Sequence, residues 1–214
     1  MNRGRVRAFI LGAGEDVPSP PPALEFENAL IICADGGGSL ARRWGWRPAL
    51  IMGDLDSLAR EDREFWEEQG VLFQVMPVRK DQTDVELAVD YALEAGAESI
   101  SLVGAWGSRI DHALGNVELL YRLALLGVPN ELITSKQVLT AFTGSCTKAV
   151  QPGSYVSLVP LTPVVQGVET RGLAYALQGQ DLHKGSTFSI SNEALQPEIS
   201  VSSTAGVLLM VCER

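Results

Sequence analysis

The chain has 214 residues, enough for one large domain or two small ones. Its net charge of −9 argues against nucleic-acid binding, which needs a basic face. A hydrophobic content of 46% with 20% charged residues is that of a folded globule. Cys33, Cys146 and Cys212 are widely spaced and form no Cys-x-x-Cys pair, so neither a zinc site nor a disulfide framework is indicated. No run approaches the ~18 apolar residues of a membrane helix. The basic start (Arg3, Arg5, Arg7) leads into a short apolar stretch and then the prolines at 18–22, which reads as strand and loop rather than signal peptide. The expected setting is a soluble, reducing compartment, the cytoplasm, with no membrane partner.

In chain order, short apolar strands are predicted at 6–11, 29–34, 49–52, 71–76, 100–103 and 131–134. Helical patterns lie between them at 60–69, 84–95 and 110–126, the last stopped by Gly127. Apolar strands alternating with helices imply a mostly parallel sheet covered by helices on both faces. Such a sheet binds ligands at the carboxyl ends of its strands. From about residue 136 the helical period disappears. β-rich runs at 138–142, 155–160, 164–170, 187–191 and 207–211 are punctuated by glycines, which predicts a small all-β sandwich or barrel. The expected division is thus an α/β domain over 1–135 and a β domain over 136–214.

Four polar clusters each follow an apolar strand. The first is Ala34-Asp35-Gly36-Gly37-Gly38, a tight turn or a place where backbone and a helix start meet an anion. The second is Gly53-Asp54-Leu55-Asp56-Ser57. If the chain stays extended, Asp54 and Asp56 point to one side while Leu55 faces away. Two converging carboxylates repel unless a cation lies between them, and oxygen-only ligation suits Mg2+. The third is Arg79-Lys80-Asp81-Gln82-Thr83-Asp84-Val85-Glu86. Thr83 and Glu86 have capping-box spacing, which leaves Lys80 for a phosphate and Asp84 as a third metal ligand. The fourth runs from Gly104 through Trp106, Gly107, Ser108, Arg109, Asp111 and His112 towards Asn116. Arg109 can clamp phosphate oxygens, while Asp111 and His112 either hold a nucleotide or cap the helix. Together these residues suit a Mg-nucleotide, although neither Gly-x-x-x-x-Gly-Lys-Ser/Thr nor a complete Gly-x-Gly-x-x-Gly is present.

The order Ala-Asp-Gly-Gly, Gly-Asp-Leu-Asp-Ser, Lys-Asp-Gln-Thr-Asp-Val-Glu and Gly-x-x-Gly-Ser-Arg-Ile-Asp-His resembles the thiamine pyrophosphokinase family. In the tail, Arg171-Gly172-Leu173-Ala174-Tyr175 and Ser189-Ile190-Ser191-Asn192-Glu193 resemble its thiamine-side signatures. The resemblance implies transfer of an intact pyrophosphoryl group from ATP to the thiamine hydroxyl, with release of AMP. It also implies a homodimer, with thiamine between the α/β domain of one subunit and the β domain of the other. By position it makes Asp54, Asp56 and Asp84 the Mg2+ ligands and, with Arg109, the catalytic set. Asp35, Gly36, Gly37, Lys80, Asp81, Thr83, Arg109, Asp111 and His112 fall on the ATP side. Tyr175, Ser189, Ser191 and Asn192 fall on the thiamine side. One departure is visible: Ala174 and Ala176 flank Tyr175 where bacterial relatives usually carry Lys-Tyr-Pro.

Two rival activities share these residues. A Mg-dependent phosphatase would use Asp54 as nucleophile after an apolar strand. A non-catalytic module would bind ATP and Mg2+ without turnover.

Overall fold

The computed structural model describes residues 6–20, 29–77 and 81–214. Two compact units are present, Met1–Val117 with Leu132–Thr134, and Glu118–Glu131 with Ser135–Arg214.

The first unit contains β1 (Arg7–Leu11), β2 (Leu30–Ala34), α1 (Gly37–Trp44), β3 (Leu50–Gly53), α2 (Arg60–Glu68), β4 (Leu72–Val75), α3 (Asp84–Glu94) and β5 (Ser99–Val103). It also holds the start of α4 (Ile110–Leu125) and the second half of β6 (Asn130–Ile133). Its strands run in the order β6-β5-β1-β2-β3-β4. The pairs β1–β2, β1–β5, β2–β3 and β3–β4 are all parallel. Phe9, Ile10, Leu11, Ile32, Cys33 and Ile51 are buried in unbroken runs, as expected of strands covered on both faces. From β1 the chain adds strands to one side as far as β4, then places β5 on the other. That reversal between β1 and β5 is a topological switch point, where sheets of this kind open a crevice for ligands.

Close packing of α1 explains one glycine. A Cβ at Gly37 would lie 1.9 Å from the Leu11 carbonyl oxygen at the end of β1. Gly37→Ala must therefore push helix from strand, and we expect it to cost about 1–3 kcal/mol of stability by urea denaturation. A wild-type midpoint would show that α1 yields freely. Trp66 of α2 completes this corner by donating its indole N–H to the Gly38 carbonyl at 2.9 Å.

The second unit holds β7 (Gln137–Phe142), β8 (Ser145–Ala149), β9 (Tyr155–Pro160), β10 (Val164–Arg171), β11 (Gln178–His183), β12 (Asn192–Glu193), β13 (Glu198–Ser202) and β14 (Leu208–Glu213). They form two antiparallel layers, β12-β9-β14-β7 and β11-β10-β13-β8. Alternate residues from both layers share one core, including Val156 and Leu158, Ile199 and Val201, and Leu208, Met210 and Cys212. This two-residue period across two facing sheets makes the unit a β-sandwich.

The strand predicted at 187–191 is instead a turn. Ile190 N–H bonds back to the Thr187 carbonyl at 3.2 Å, and Ser191 takes a left-handed φ of 59°. The two-residue strand β12 begins only after it. All three cysteines are free thiols. No helix among the described residues is long and apolar enough to cross a membrane.

Candidate active site

Three acids meet where β2, β3 and the start of α3 come together. One carboxylate oxygen from each of Asp35, Asp54 and Asp84 lies within 4.8 Å of the others. Asp35 directly follows β2, and its N–H donates to the Met52 carbonyl at 2.8 Å, extending the strand pairing by one residue. It adopts φ 50°, a left-handed conformation that Asp tolerates. Gly53 lets the acids approach, since a Cβ there would lie 3.1 Å from the Asp35 Cβ and 3.0 Å from Asp84 Oδ1.

Asp56 is not a member of this trio. Asp54 and Asp56 point to one side only in an extended segment, but Leu55 has φ 64°. The chain turns there, and Asp56 N–H donates to Asp54 Oδ1 at 3.2 Å. A left-handed Leu costs ~1–2 kcal/mol. Burial of its side chain among the core residues of the first unit holds it in place. Strain of this kind gathers at functional sites. Asp56 remains close enough for its charge to act on Asp35.

Ser57 orients Asp35. Its Oγ accepts from Gly36 N–H at 3.0 Å and donates to Asp35 Oδ2. That arrangement leaves Asp35 Oδ1 buried and without a hydrogen-bond partner among the described residues. Burial pushes the Asp35 pKa up, and the charges of Asp54, Asp56 and Asp84 push the same way against the Ser57 hydrogen bond. A buried, unpartnered carboxylate oxygen beside two more carboxylates is costly without a cation. The all-oxygen donor set fits Mg2+. The expected anion cradle at Gly36 and Gly37 looks different here. Both glycines are buried, and the Gly36 N–H is already taken by Ser57.

At the start of α3, Thr83 is the N-cap, and its Oγ1 accepts from Glu86 N–H at 3.2 Å. Gln82 braces the same turn through Asp90 at 2.9 Å. Asp81 is exposed. Lys80 lies outside the described residues. The cap and the acid should separate on mutation. Thr83→Ala should lower stability by ~0.5–2 kcal/mol with little loss of turnover. Asp84→Asn should do the reverse. If both variants lose only thermal stability, this segment is a helix start and nothing more.

Arg109 and Asp111 open α4 as a two-pronged ion pair. Arg109 Nε and Nη2 donate to the two Asp111 oxygens at 3.0 and 2.7 Å. Both side chains are exposed. The Arg109 hydrogen bonds hold the Asp111 carboxyl well below the usual range. Asp111 thus pre-sets the guanidinium fork, and His112 beside it is exposed. Two residues outside the predicted set fix the loop before α4. Asn116, buried, donates to the Ala105 carbonyl at 2.7 Å, and Glu15 accepts two hydrogen bonds from Ser108. The signal for Asn116 was a polar side chain at a core position of an amphipathic helix. For Glu15 it was a pair of glycines just after a strand.

In the second unit, Tyr175 is 74% exposed. Asn192 clamps its backbone by accepting from Tyr175 N–H at 3.0 Å and donating to the Tyr175 carbonyl at 2.8 Å. Ser191 N–H donates to Ser157 Oγ at 2.9 Å, and Ser189 Oγ donates to the Leu158 carbonyl at 2.7 Å. The four predicted residues therefore cluster around one edge of the sandwich. Asn192 uses its side chain to shape the loop that presents Tyr175, while Ser189 ties its own turn to β9.

Comparison with known proteins gives this geometry its context. Residues 23–129 match the model for the thiamin pyrophosphokinase catalytic domain, and residues 145–208 match the model for its vitamin B1 binding domain. The chain is 30% identical to the thiamine pyrophosphokinase of Bacillus subtilis (strain 168) over 187 residues, covering 86% of this chain and 87% of the relative. A crystal structure of thiamine pyrophosphokinase from Bacillus subtilis superposes with a TM-score of 0.88 at 28% identity, covering 98% of this chain and 99% of that one. One of thiamin pyrophosphokinase from Geobacillus thermodenitrificans gives 0.83 at 34% identity, covering 98% of both chains. The matches describe a two-part kinase, a catalytic portion followed by a vitamin-binding portion, and the two units here follow that order. The chain belongs to the thiamine pyrophosphokinase family and is an enzyme of the thiamine diphosphokinase class.

Proposed function

We propose that this enzyme transfers the terminal pyrophosphoryl group of ATP to the hydroxyl of thiamine, giving thiamine diphosphate and AMP. The observation that carries the reading is the Asp35–Asp54–Asp84 cluster with its unpartnered buried oxygen, in a chain matched along its length by this family. Residues 1–135 would hold the nucleotide and the metal, and residues 136–214 the thiamine, a division that the two matched regions support.

Asp35, Asp54 and Asp84 would hold Mg2+, with Asp56 adding negative charge beside them. The bound ion would neutralise triphosphate charge and polarise the β-phosphorus. Arg109, pre-set by Asp111, would take phosphate oxygens in its planar fork, with Lys80 as a second cation. The thiamine hydroxyl oxygen bonds to the β-phosphorus, the bond from that phosphorus to the α,β-bridging oxygen breaks, and the hydroxyl proton is released. Tyr175 would lie against the cationic thiazolium, a contact of ~0.5–2 kcal/mol. Positioning and charge neutralisation are the main demands of phosphoryl chemistry, and these residues are of the types that meet them.

The reading includes a cytoplasmic homodimer in which the second unit of one subunit completes the acid cluster of the other. Support comes from the uncovered Tyr175, Phe188 and Ile190 at the sandwich edge. Incubation with ATP, Mg2+ and thiamine tests the reaction. AMP and thiamine diphosphate should appear in equal amounts. Orthophosphate without a thiamine ester would instead point to a phosphatase using Asp54, and ATP binding without turnover to a non-catalytic module.

A further inference from the structure

The switch point between β1 and β5 is laced together rather than open. The loop after β1 donates Gly12 N–H to the Val103 carbonyl at 2.8 Å, Gly14 N–H to Gly104 at 2.6 Å and Asp16 N–H to Trp106 at 3.1 Å. Glycine is required along the β1 side of this seam. A Cβ at Gly12 would sit 2.5 Å from the Gly104 carbonyl oxygen, and one at Gly14 would sit 2.4 Å from that of Trp106.

Glu15 closes the seam at its far end. Its Oε2 accepts from Ser108 N–H at 2.9 Å and its Oε1 from Ser108 Oγ at 2.7 Å. A Cβ on Gly107 would come 2.0 Å from Glu15 Oε2, so the carboxylate rests directly on the loop backbone. Arg109 directly follows Ser108. A carboxylate beside a phosphate site is electrostatically unhelpful, since it repels the anion that Arg109 would attract. Its presence there is accounted for by geometry, because two hydrogen bonds to one residue fix both its backbone and its side chain.

We propose that Glu15 is a positioning residue for the transfer reaction: it pins Ser108, and thereby sets the point from which Arg109 reaches the phosphates of ATP. This rests on the assignment of Arg109 to the nucleotide under the proposed function. A rival structural role exists, since an anion near a helix start also stabilises the helix. The two differ in whether Glu15 acts through Arg109.

The test compares Glu15→Ala, Glu15→Gln and Arg109→Ala, singly and combined, in the full chain. Glu15→Ala should lower kcat/KM for ATP by ~100-fold, the scale of a misplaced catalytic group, with KM for thiamine unchanged. Glu15→Gln should recover to within about fivefold, because its amide accepts from Ser108 N–H and donates to Ser108 Oγ. In the Arg109→Ala background, Glu15→Ala should add less than about twofold, since coupled residues are non-additive. A full additive loss there, or a loss of melting temperature with normal kinetics, would overturn the proposal.

Should Glu15→Ala not fold, Ser108→Ala removes one of the two bonds and should lose about tenfold in the same parameter. Wild-type kinetics in that variant would count against Glu15. Calorimetric binding of α,β-methylene-ATP with Mg2+ separates this idea from the reaction itself. If the wild type makes no thiamine diphosphate, the proposed function fails. Weaker analogue binding by Glu15→Ala, absent in the Arg109→Ala background, would still support the positioning role. Equal binding by wild type and Glu15→Ala, or none by either, would defeat it.

Discussion

Asp54→Asn and Asp84→Asn should each lower turnover at least ~100-fold, the usual scale for removing an electrostatic stabiliser from a reacting centre. Each change keeps the shape and deletes one negative charge from a trio whose oxygens lie within 4.8 Å of one another. Without metal, that trio opposes folding, because like charges repel and Asp35 Oδ1 is buried without a partner among the described residues. The variants should therefore melt at the wild-type temperature or above it in chelator. In Mg2+ they should lose the metal-induced stabilisation that the wild type gains. Asp56→Asn provides the internal contrast. Asp56 lies outside the trio and acts on Asp35 only through its charge, so its loss should be the smaller. Near wild-type turnover in Asp54→Asn and Asp84→Asn would remove the metal assignment, whatever their stability.

Mixing inactive Asp54→Asn with Tyr175→Ala, assayed at thiamine concentrations where Tyr175→Ala alone works poorly, should raise activity above that of either variant. In a two-fold dimer with shared sites, an Asp54→Asn subunit paired with a Tyr175→Ala subunit makes one site carrying both changes and one carrying neither. Random exchange of equal amounts puts half of the dimers in this mixed form, so activity should return to about a quarter of wild type. Tyr175 is the better partner mutation than Asn192. Asn192 holds the Tyr175 backbone at both its N–H and its carbonyl, and truncating it would disturb the loop as well as any contact with thiamine. No recovery after demonstrated subunit exchange would place each site within one chain. A fully active monomer in sedimentation would have the same meaning.

Much of the parallel sheet was legible because its strands are unbroken apolar runs, such as Phe9 to Leu11 and Ile31 to Ala34, set between helical patterns. The sandwich was harder to read. β8, β11 and β13 escaped notice because few of their residues are buried, none of them in β8, and their exposed faces are largely polar. In β11, Leu182 alone is buried. The run at 187–191 misled in the other direction. Its apolar residues Phe188 and Ile190 are exposed in a turn, and composition alone does not distinguish that from a strand.

At the site, the motif residues among those described fell where strand ends and helix starts should put them. The expected alignment of Asp54 with Asp56 failed at one backbone angle. Alternation holds only while the chain is extended, and Leu55 is left-handed. The resemblance put Asp35 on the ATP side, and its proximity to Asp54 and Asp84, which depends on the parallel pairing of β2 with β3, was not legible. Glu15 and Ser108 are 93 positions apart, and only the pairing of β1 with β5 brings them together.

The central claim is that the pyrophosphoryl group moves intact from ATP to thiamine. ATP labelled at the γ-phosphorus, incubated with Mg2+ and thiamine, tests it most directly. All transferred label should appear as the terminal phosphorus of thiamine diphosphate, with unlabelled AMP formed in equal amount. Label released as orthophosphate, or thiamine monophosphate formed alongside ADP, would contradict it.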